Sequence, residues 1–297
     1  MPDNKDNSRR EFLKKGTLGG MGAVLGINSI PSLLANTGKN NGTKLSIHPR
    51  YYRWYVDPGE EWLETNTDYA TLNWDIPISQ TALVLVDVWQ RHYIKDTEAR
   101  GEAVINEKLI PLMEACRKAG LQIIHAPSPP VAMLHPNWVK LVSKAEMSPK
   151  RDSWPPAPFR SKSGVYQSYR RPVEPREAEK QSLPPLTFHP KARPIGNEPV
   201  VATGEELHRY CKQKEKLFLL YAGFNTNACI LSRDYGTIQM SNRGYEVVLV
   251  RDCTTGMESR YTHDSLSQTT GAILLLEMFG QYSIGSDEVK AGLSKVV

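Results

Sequence analysis

The chain has 297 residues, of which 40% are hydrophobic and 23% charged, which suits a globular chain with a large core and excludes a wholly disordered or multi-span membrane protein. Its formal charge is +5, and beyond residue 35 it is 32 basic against 29 acidic residues, too weak and too mixed a balance for nucleic acid. The four cysteines, Cys116, Cys211, Cys229 and Cys253, form no CxxC pair, which excludes a disulfide-dense scaffold and a structural zinc knuckle.

Residues 8–14 read Ser-Arg-Arg-Glu-Phe-Leu-Lys and resemble a bacterial twin-arginine export signal, with Arg9 and Arg10 as the pair. The following stretch to Ala35 is glycine-rich and carries Pro31, so it fits a signal segment better than a stable membrane helix. The resemblance implies the twin-arginine machinery as a partner and a periplasmic or otherwise exported destination. Such export follows folding in the cytoplasm, which makes free thiols reasonable. Residues 36–77 read as an extension or linker, and 36–50 is polar.

From residue 78 onward strands alternate with helices. Ala82–Asp87 is an apolar run ending in an acid, the pattern of a buried parallel strand. Residues 101–119 carry a helical apolar stripe closed by Gly120. Leu121–His125 is the next strand. Thr203 to Lys214 reads as a helix with Thr203 as N-cap and Glu206 in the capping-box place. Leu217–Gly223 is a third strand, Asn227–Asn242 a helix, and Glu246–Val250 a fourth strand. A helix over 262–279 and a short strand near 282–284 complete the domain. The pattern predicts an α/β fold, a three-layer, doubly wound, mostly parallel sheet of Rossmann-like character. Ligands of such sheets bind beyond the carboxyl ends of the strands, which places Asp87, His125 and the loop after Gly223 at one edge.

Residues 127–199 interrupt the alternation. Eleven of the 21 prolines fall within 149–199, beside Trp154, Phe159, Tyr166 and Tyr169. A segment this long is either a lid, an arm around a neighbouring subunit, or a solvated spacer. Those four aromatics and Trp138 favour the lid.

The most informative stretch is Tyr221–Ile230. A strand enters a glycine turn and a helix begins at Cys229, where the helix dipole lowers a thiol's pKa and first-turn N–H groups can hold an oxyanion. Asp87, at a neighbouring strand end, is placed to take the thiol proton. A buried structural cysteine is the bland alternative.

The run Gly223 to Thr226-Asn227-Ala228-Cys229-Ile230, then Gly244-Tyr245-Glu246-Val247 and Arg251-Asp252-Cys253, resembles the isochorismatase-like cysteine hydrolases. Ala82–Asp87 is similar to that family's first strand with its acid, and His263 fits the start of the last helix. The likeness spans about 78–126 and 200–288. It implies a Cys–Asp–Lys triad and hydrolysis of C–N bonds, as in nicotinamidase and N-carbamoylsarcosine amidohydrolase. By that resemblance Cys229 is the nucleophile and Asp87 its base. The resemblance also implies that Ala228 and Cys229 give oxyanion donors, in a turn that often holds a cis peptide in the family, and that the chain forms a homo-oligomer. Lys191 is the candidate lysine, with Arg193 as an alternative cation. Asn225, Thr226, Trp89, His92 and His125 are placed around the substrate, with Trp138 as a further pocket aromatic. Family members can hold a divalent metal through Asp and His. Here no HxH or HExxH spacing occurs, so His92, His125, His135 and His189 are read without a metal, and no cofactor is assigned. The expected activity is thus an exported cysteine hydrolase acting on a small amide-like molecule. A silent binding protein of the same fold and a non-amide hydrolase of the isochorismatase type are the alternatives.

Overall fold

The computed structural model describes residues 42–147 and 152–297. The export motif at residues 8–14 lies outside the described residues. The extension expected at 36–77 contributes strands from residue 44 onward: β1 (Lys44–Ile47), β2 (Arg50–Arg53), β3 (Asp68–Thr71) and β4 (Trp74–Pro77). A polar flank had concealed a short alternating pattern, for Leu45 and Ile47 point inward and are fully buried while their neighbours are exposed. β1 pairs with β4 as a separate antiparallel ribbon.

β5 (Thr81–Val86) is buried along its whole length, as a two-sided strand must be. α1 (Lys95–Val104) follows and runs through a wider turn at Ile105–Leu109 into α2 (Ile110–Lys118). The helix expected over 101–119 therefore starts six residues earlier. The widening precedes Pro111, which has no N–H to donate to the preceding turn. β6 (Gln122–Ala126) comes next. The insertion holds short helical turns and α3 (Glu177–Ser182). Then come α4 (Gly204–Gln213), β7 (Phe218–Phe224), α5 (Thr237–Asn242), β8 (Glu246–Thr255), α6 (Ser267–Met278), β9 (Tyr282–Ile284) and α7 (Ser286–Ser294). α4 carries the expected cap, Thr203 Oγ1 accepting from the Glu206 N–H at 3.1 Å. α6 starts later than expected, and α7 is additional to the sequence reading.

Among the described residues the main sheet runs β3-β2-β9-β8-β7-β5-β6 and has seven strands. From β9 to β6 it is parallel; β2 and β3 extend it antiparallel at one edge. Two apolar clusters cover its faces. One joins Leu45, Leu112, Met113 and Leu293 to Leu83 and Leu85. The other joins Leu207, Tyr235, Met240 and Leu276 to Val84 and Leu219. This is the three-layer doubly wound fold the alternation predicts. No helix among the described residues is long and apolar enough to cross a membrane.

The order places β6 on one side of β5 and β7 on the other. The chain reverses direction across the sheet there, and the carboxyl ends of β5 and β7 open a crevice. The two strands approach closely: a Cβ on Gly223 (φ +113°) would lie 2.0 Å from the Val86 carbonyl oxygen. Only glycine fits both the angle and the contact.

Candidate active site

Asp87 leaves β5 with φ 45°, in the left-handed region. A non-glycine residue held there is strained, and such strain gathers where a side chain must be aimed. Its carboxylate is buried and held by the element that follows β6. The Ser128 N–H and hydroxyl both donate to Asp87 Oδ1, at 2.6 and 2.9 Å. Arg233 Nη2 donates to Ser128 Oγ at 3.1 Å and stands 3.8 Å from Asp87 Oδ2.

Cys229 sits in a single wide turn, Thr226–Ile230, after a cis peptide at Phe224–Asn225. The helix expected over 227–242 is interrupted: α5 begins only at Thr237, behind Gly236. Tertiary contacts hold the break open. Tyr235 turns inward and donates to the Pro127 carbonyl at 3.0 Å, and its own carbonyl accepts from Tyr221 at 2.7 Å. Asp234 Oδ2 accepts from the Gly204 N–H at 2.7 Å, where a Cβ would lie 1.9 Å from the Asp234 carbonyl.

This break corrects one expectation. A full helix at Cys229 was to lower its pKa, but a five-residue turn offers little dipole. Burial is the largest influence and the Asp87 carboxylate adds to it, pushing the thiol up to about 11; Arg233 opposes both. At rest the group is a thiol next to a carboxylate. Cys116, Cys211 and Cys253 are buried and free, and burial raises all three.

Asp87, Cys229 and Arg233 share a cavity of ≈ 510 Å³ with Trp89, Arg91, His92, Tyr93, Ser128, Asn225, Ala228 and Met257; Lys180, Leu183, Pro184 and Leu186 form its wall. Of the residues read from the sequence, Cys229, Asp87, Asn225, Ala228, Trp89 and His92 are thus brought together. Asn225 Oδ1 is buried without a hydrogen-bond partner. The Ala228 N–H donates to the Asn225 carbonyl at 3.1 Å, so an oxyanion there must share that hydrogen.

The remaining candidate residues lie elsewhere. Lys191 is exposed and donates to Asn106 Oδ1 at 2.6 Å. Neither it nor Arg193 lines the cavity, because the chain after His189 turns away along α1. Arg233 is the cation beside the thiol instead. Thr226 is buried against Thr254, with 2.6 Å between their hydroxyls. His125 is buried under the sheet edge, its Nε2 2.8 Å from Glu198 Oε2. Trp138 donates to both Glu206 oxygens and is a structural residue. His263 is paired with Asp264 and Asp96, away from Cys229.

The histidines do not converge on a metal. His92 Nδ1 accepts from the Ile94 N–H at 3.0 Å, His189 pairs with Glu102, and His125 with Glu198. Among the described residues no group of three or more His, Cys, Asp or Glu side chains is set to hold an ion.

The insertion contributes a wall, though not through the aromatics that suggested one. Trp154 and Tyr169 are exposed, and Phe159 packs on Tyr166. The wall is 180–188, tied to the chain beyond Asp87: the His189 N–H donates to the Val88 carbonyl at 2.9 Å, and the Thr187 N–H to Gln90 Oε1 at 2.7 Å. Sequence reasoning missed Arg233, Ser128, Arg91 and Lys180. Arg233 alone had a signal, standing four residues after Cys229.

The isochorismatase domain profile matches residues 81–276. Among solved structures, a cysteine hydrolase from Pseudomonas syringae pv. phaseolicola is similar at 15% identity, covering 75% of this chain and 97% of that one, with a TM-score of 0.49. An isochorismatase family protein from Burkholderia thailandensis shares 15% identity, over 73% of this chain and 96% of that one (TM-score 0.43). One from Desulfovibrio vulgaris also shares 15%, over 72% and 98% (TM-score 0.41). A comparison with curated proteins finds no match.

Proposed function

The chain belongs to the isochorismatase family of hydrolases, and on that premise we propose that it is a cysteine hydrolase cleaving a C–N bond of a small molecule, with Cys229 as nucleophile, Asp87 as base and Arg233 in place of a lysine. The observation that carries this is the Cys229 thiol lining a cavity together with the buried Asp87 carboxylate and the Arg233 guanidinium, both of which act on it.

The steps follow from that pairing. Asp87 takes the Sγ proton, and the sulfur attacks the substrate carbonyl carbon. Arg233 stabilises the thiolate as it forms. The carbonyl electrons move to oxygen, which the Cys229 and Ala228 N–H groups receive. When the C–N bond breaks, the Asp87 proton goes to the leaving nitrogen and a thioester remains. Asp87 then deprotonates a water, the hydroxide attacks the thioester carbon, and as the C–S bond breaks Asp87 returns the proton to sulfur and the acid is released.

Nicotinamidase-type and N-carbamoylsarcosine-type substrates are the starting panel. Export through the twin-arginine route and a homo-oligomeric state are further proposals, resting on residues 8–14 and on the family resemblance. The test is ammonia release from primary amides by wild type and Cys229→Ser. Turnover lost with the serine supports the reading. Turnover that survives would replace it with a non-thiol hydrolase, and binding without turnover would replace it with a silent binding protein.

A further inference from the structure

Two exposed patches outside the parallel sheet carry opposite charge. Residues 54–68, the loop from β2 into β3, hold five carboxylates, Asp57, Glu60, Glu61, Glu64 and Asp68, and no Lys or Arg. Asp57 is paired with Arg53, whereas Glu60, Glu61 and Glu64 are exposed and make no ion pair among the described residues. Between them Trp62 is 71% exposed and Leu63 51%. The arm at 153–173 holds four cations, Arg160, Lys162, Arg170 and Arg171, and no Asp or Glu. Its three arginines are exposed and meet no carboxylate among the described residues; Arg160 donates to the Asp152 carbonyl at 3.1 Å. Beside them Trp154 (73%), Val165 (86%) and Tyr169 (71%) stand in solvent. Local contacts, such as Phe159 against Tyr166 at 5.2 Å, fold the arm on itself and leave those side chains uncovered.

The two patches sit at diagonally opposite corners of one chain. β2 and β3 form one edge of the sheet and β6 the other, six strand spacings or about 29 Å apart. β2 runs antiparallel to β9, so the acidic loop lies at the amino ends of the parallel strands. The arm follows β6 and returns at the carboxyl ends, where Lys180 Nζ lies over the Tyr93 ring, 4.2 Å from its centroid. We infer that the arm docks on the acidic loop of a second copy of this chain, each copy giving its arm to the other about a two-fold axis. Two such contacts close the pair. They set Arg160, Arg170 and Arg171 against Glu60, Glu61 and Glu64 and cover Trp62, Trp154 and Tyr169. With Leu63, Val165 and Val173 the covered side chains amount to on the order of 800 Å² per copy, the scale of a stable interface. The inference is independent of the hydrolase reading, since neither patch lines the Cys229 cavity.

The test reverses each patch in the full chain. One variant carries Arg160→Glu, Arg170→Glu and Arg171→Glu; the other carries Glu60→Lys, Glu61→Lys and Glu64→Lys. Sedimentation velocity reads the mass of each alone and of an equimolar mixture, and circular dichroism checks that both fold. Wild type should be a dimer whose dissociation constant rises with salt. Each variant alone should self-associate about 100-fold more weakly, because like charges then face each other. The mixture should regain a dimer with one copy of each, because the acidic arm meets a basic loop and the basic arm an acidic one. A chain with all six substitutions should dimerise like wild type. A monomeric wild type, a mass that neither variant lowers, or a mixture that fails to reassociate overturns the inference. A monomeric wild type that binds phosphatidylglycerol vesicles through the same arginines overturns it in favour of an anionic surface.

Discussion

Replacing Asp87 with asparagine should raise the nucleophile's reactivity and abolish its usefulness. Burial and the Asp87 carboxylate hold the Cys229 thiol at about 11, so roughly one molecule in 1,000 carries a thiolate at pH 8. Asp87→Asn removes the charge and leaves burial opposed by Arg233. A fall of about one to two pKa units, or about 1.4–2.7 kcal/mol, would multiply the thiolate population about 10- to 100-fold. Loss of the base should at the same time lower turnover by about 10²- to 10⁴-fold. Iodoacetamide labelling of Cys229, followed by peptide mass spectrometry from pH 6 to 11, reads the first effect. Buried Cys116, Cys211 and Cys253 serve as internal references. The expected result is a labelling curve shifted to lower pH in the variant while amide turnover collapses. Slower labelling in Asp87→Asn, or preserved turnover, would refute the assignment of Asp87 as the group facing the thiol.

Other perturbations follow from the same geometry. Arg233→Met removes the cation that opposes burial, so the Cys229 labelling curve should move to higher pH and turnover should fall by about tenfold or more. Lys191→Ala should leave turnover within about twofold of wild type, since it removes only the bond to Asn106; a large loss would restore the lysine to the site. Gly223→Ala drives a methyl against the Val86 carbonyl and should cost about 3 kcal/mol or more in chemical denaturation. Burial alone would raise Glu198, but hydrogen bonds from His125, Arg117 and the Ile195 N–H outweigh it and hold the carboxyl at about 2. Because it titrates lower when folded, its stabilisation is whole above pH about 4.5 and is lost as the pH falls towards about 2. The acid slope of Tm should therefore flatten in Glu198→Gln.

The parallel strands were legible because strands buried on both faces are written as unbroken apolar runs, as in Ala82–Val86 and Leu217–Ala222. Asp87 and Cys229 were legible because they end such runs or follow their turns. The cation's signal was only its spacing: Arg233 stands four residues after Cys229, and its N–H donates to the Cys229 carbonyl at 3.3 Å, so one helical turn brings the guanidinium to the thiol. The amino-terminal strands were hidden by their shortness. Four-residue strands such as Lys44–Ile47 carry two inward side chains each, too few to stand out from a polar flank. In the insertion, conspicuous aromatics drew attention from Lys180 and Leu186, whose role depends on a fold-back that no local pattern records.

The bond from the His189 N–H to the Val88 carbonyl fastens the returning insertion one residue beyond the base. It acts as a mounting point. The mostly exposed stretch 152–179 can be lengthened, shortened or rewritten without shifting Asp87, whereas Ser128, Ala132 and Trp138 are tied into the domain. The chain thus joins a fixed chemical chassis, which itself lines the cavity with Arg91, His92, Tyr93 and Met257, to one variable wall.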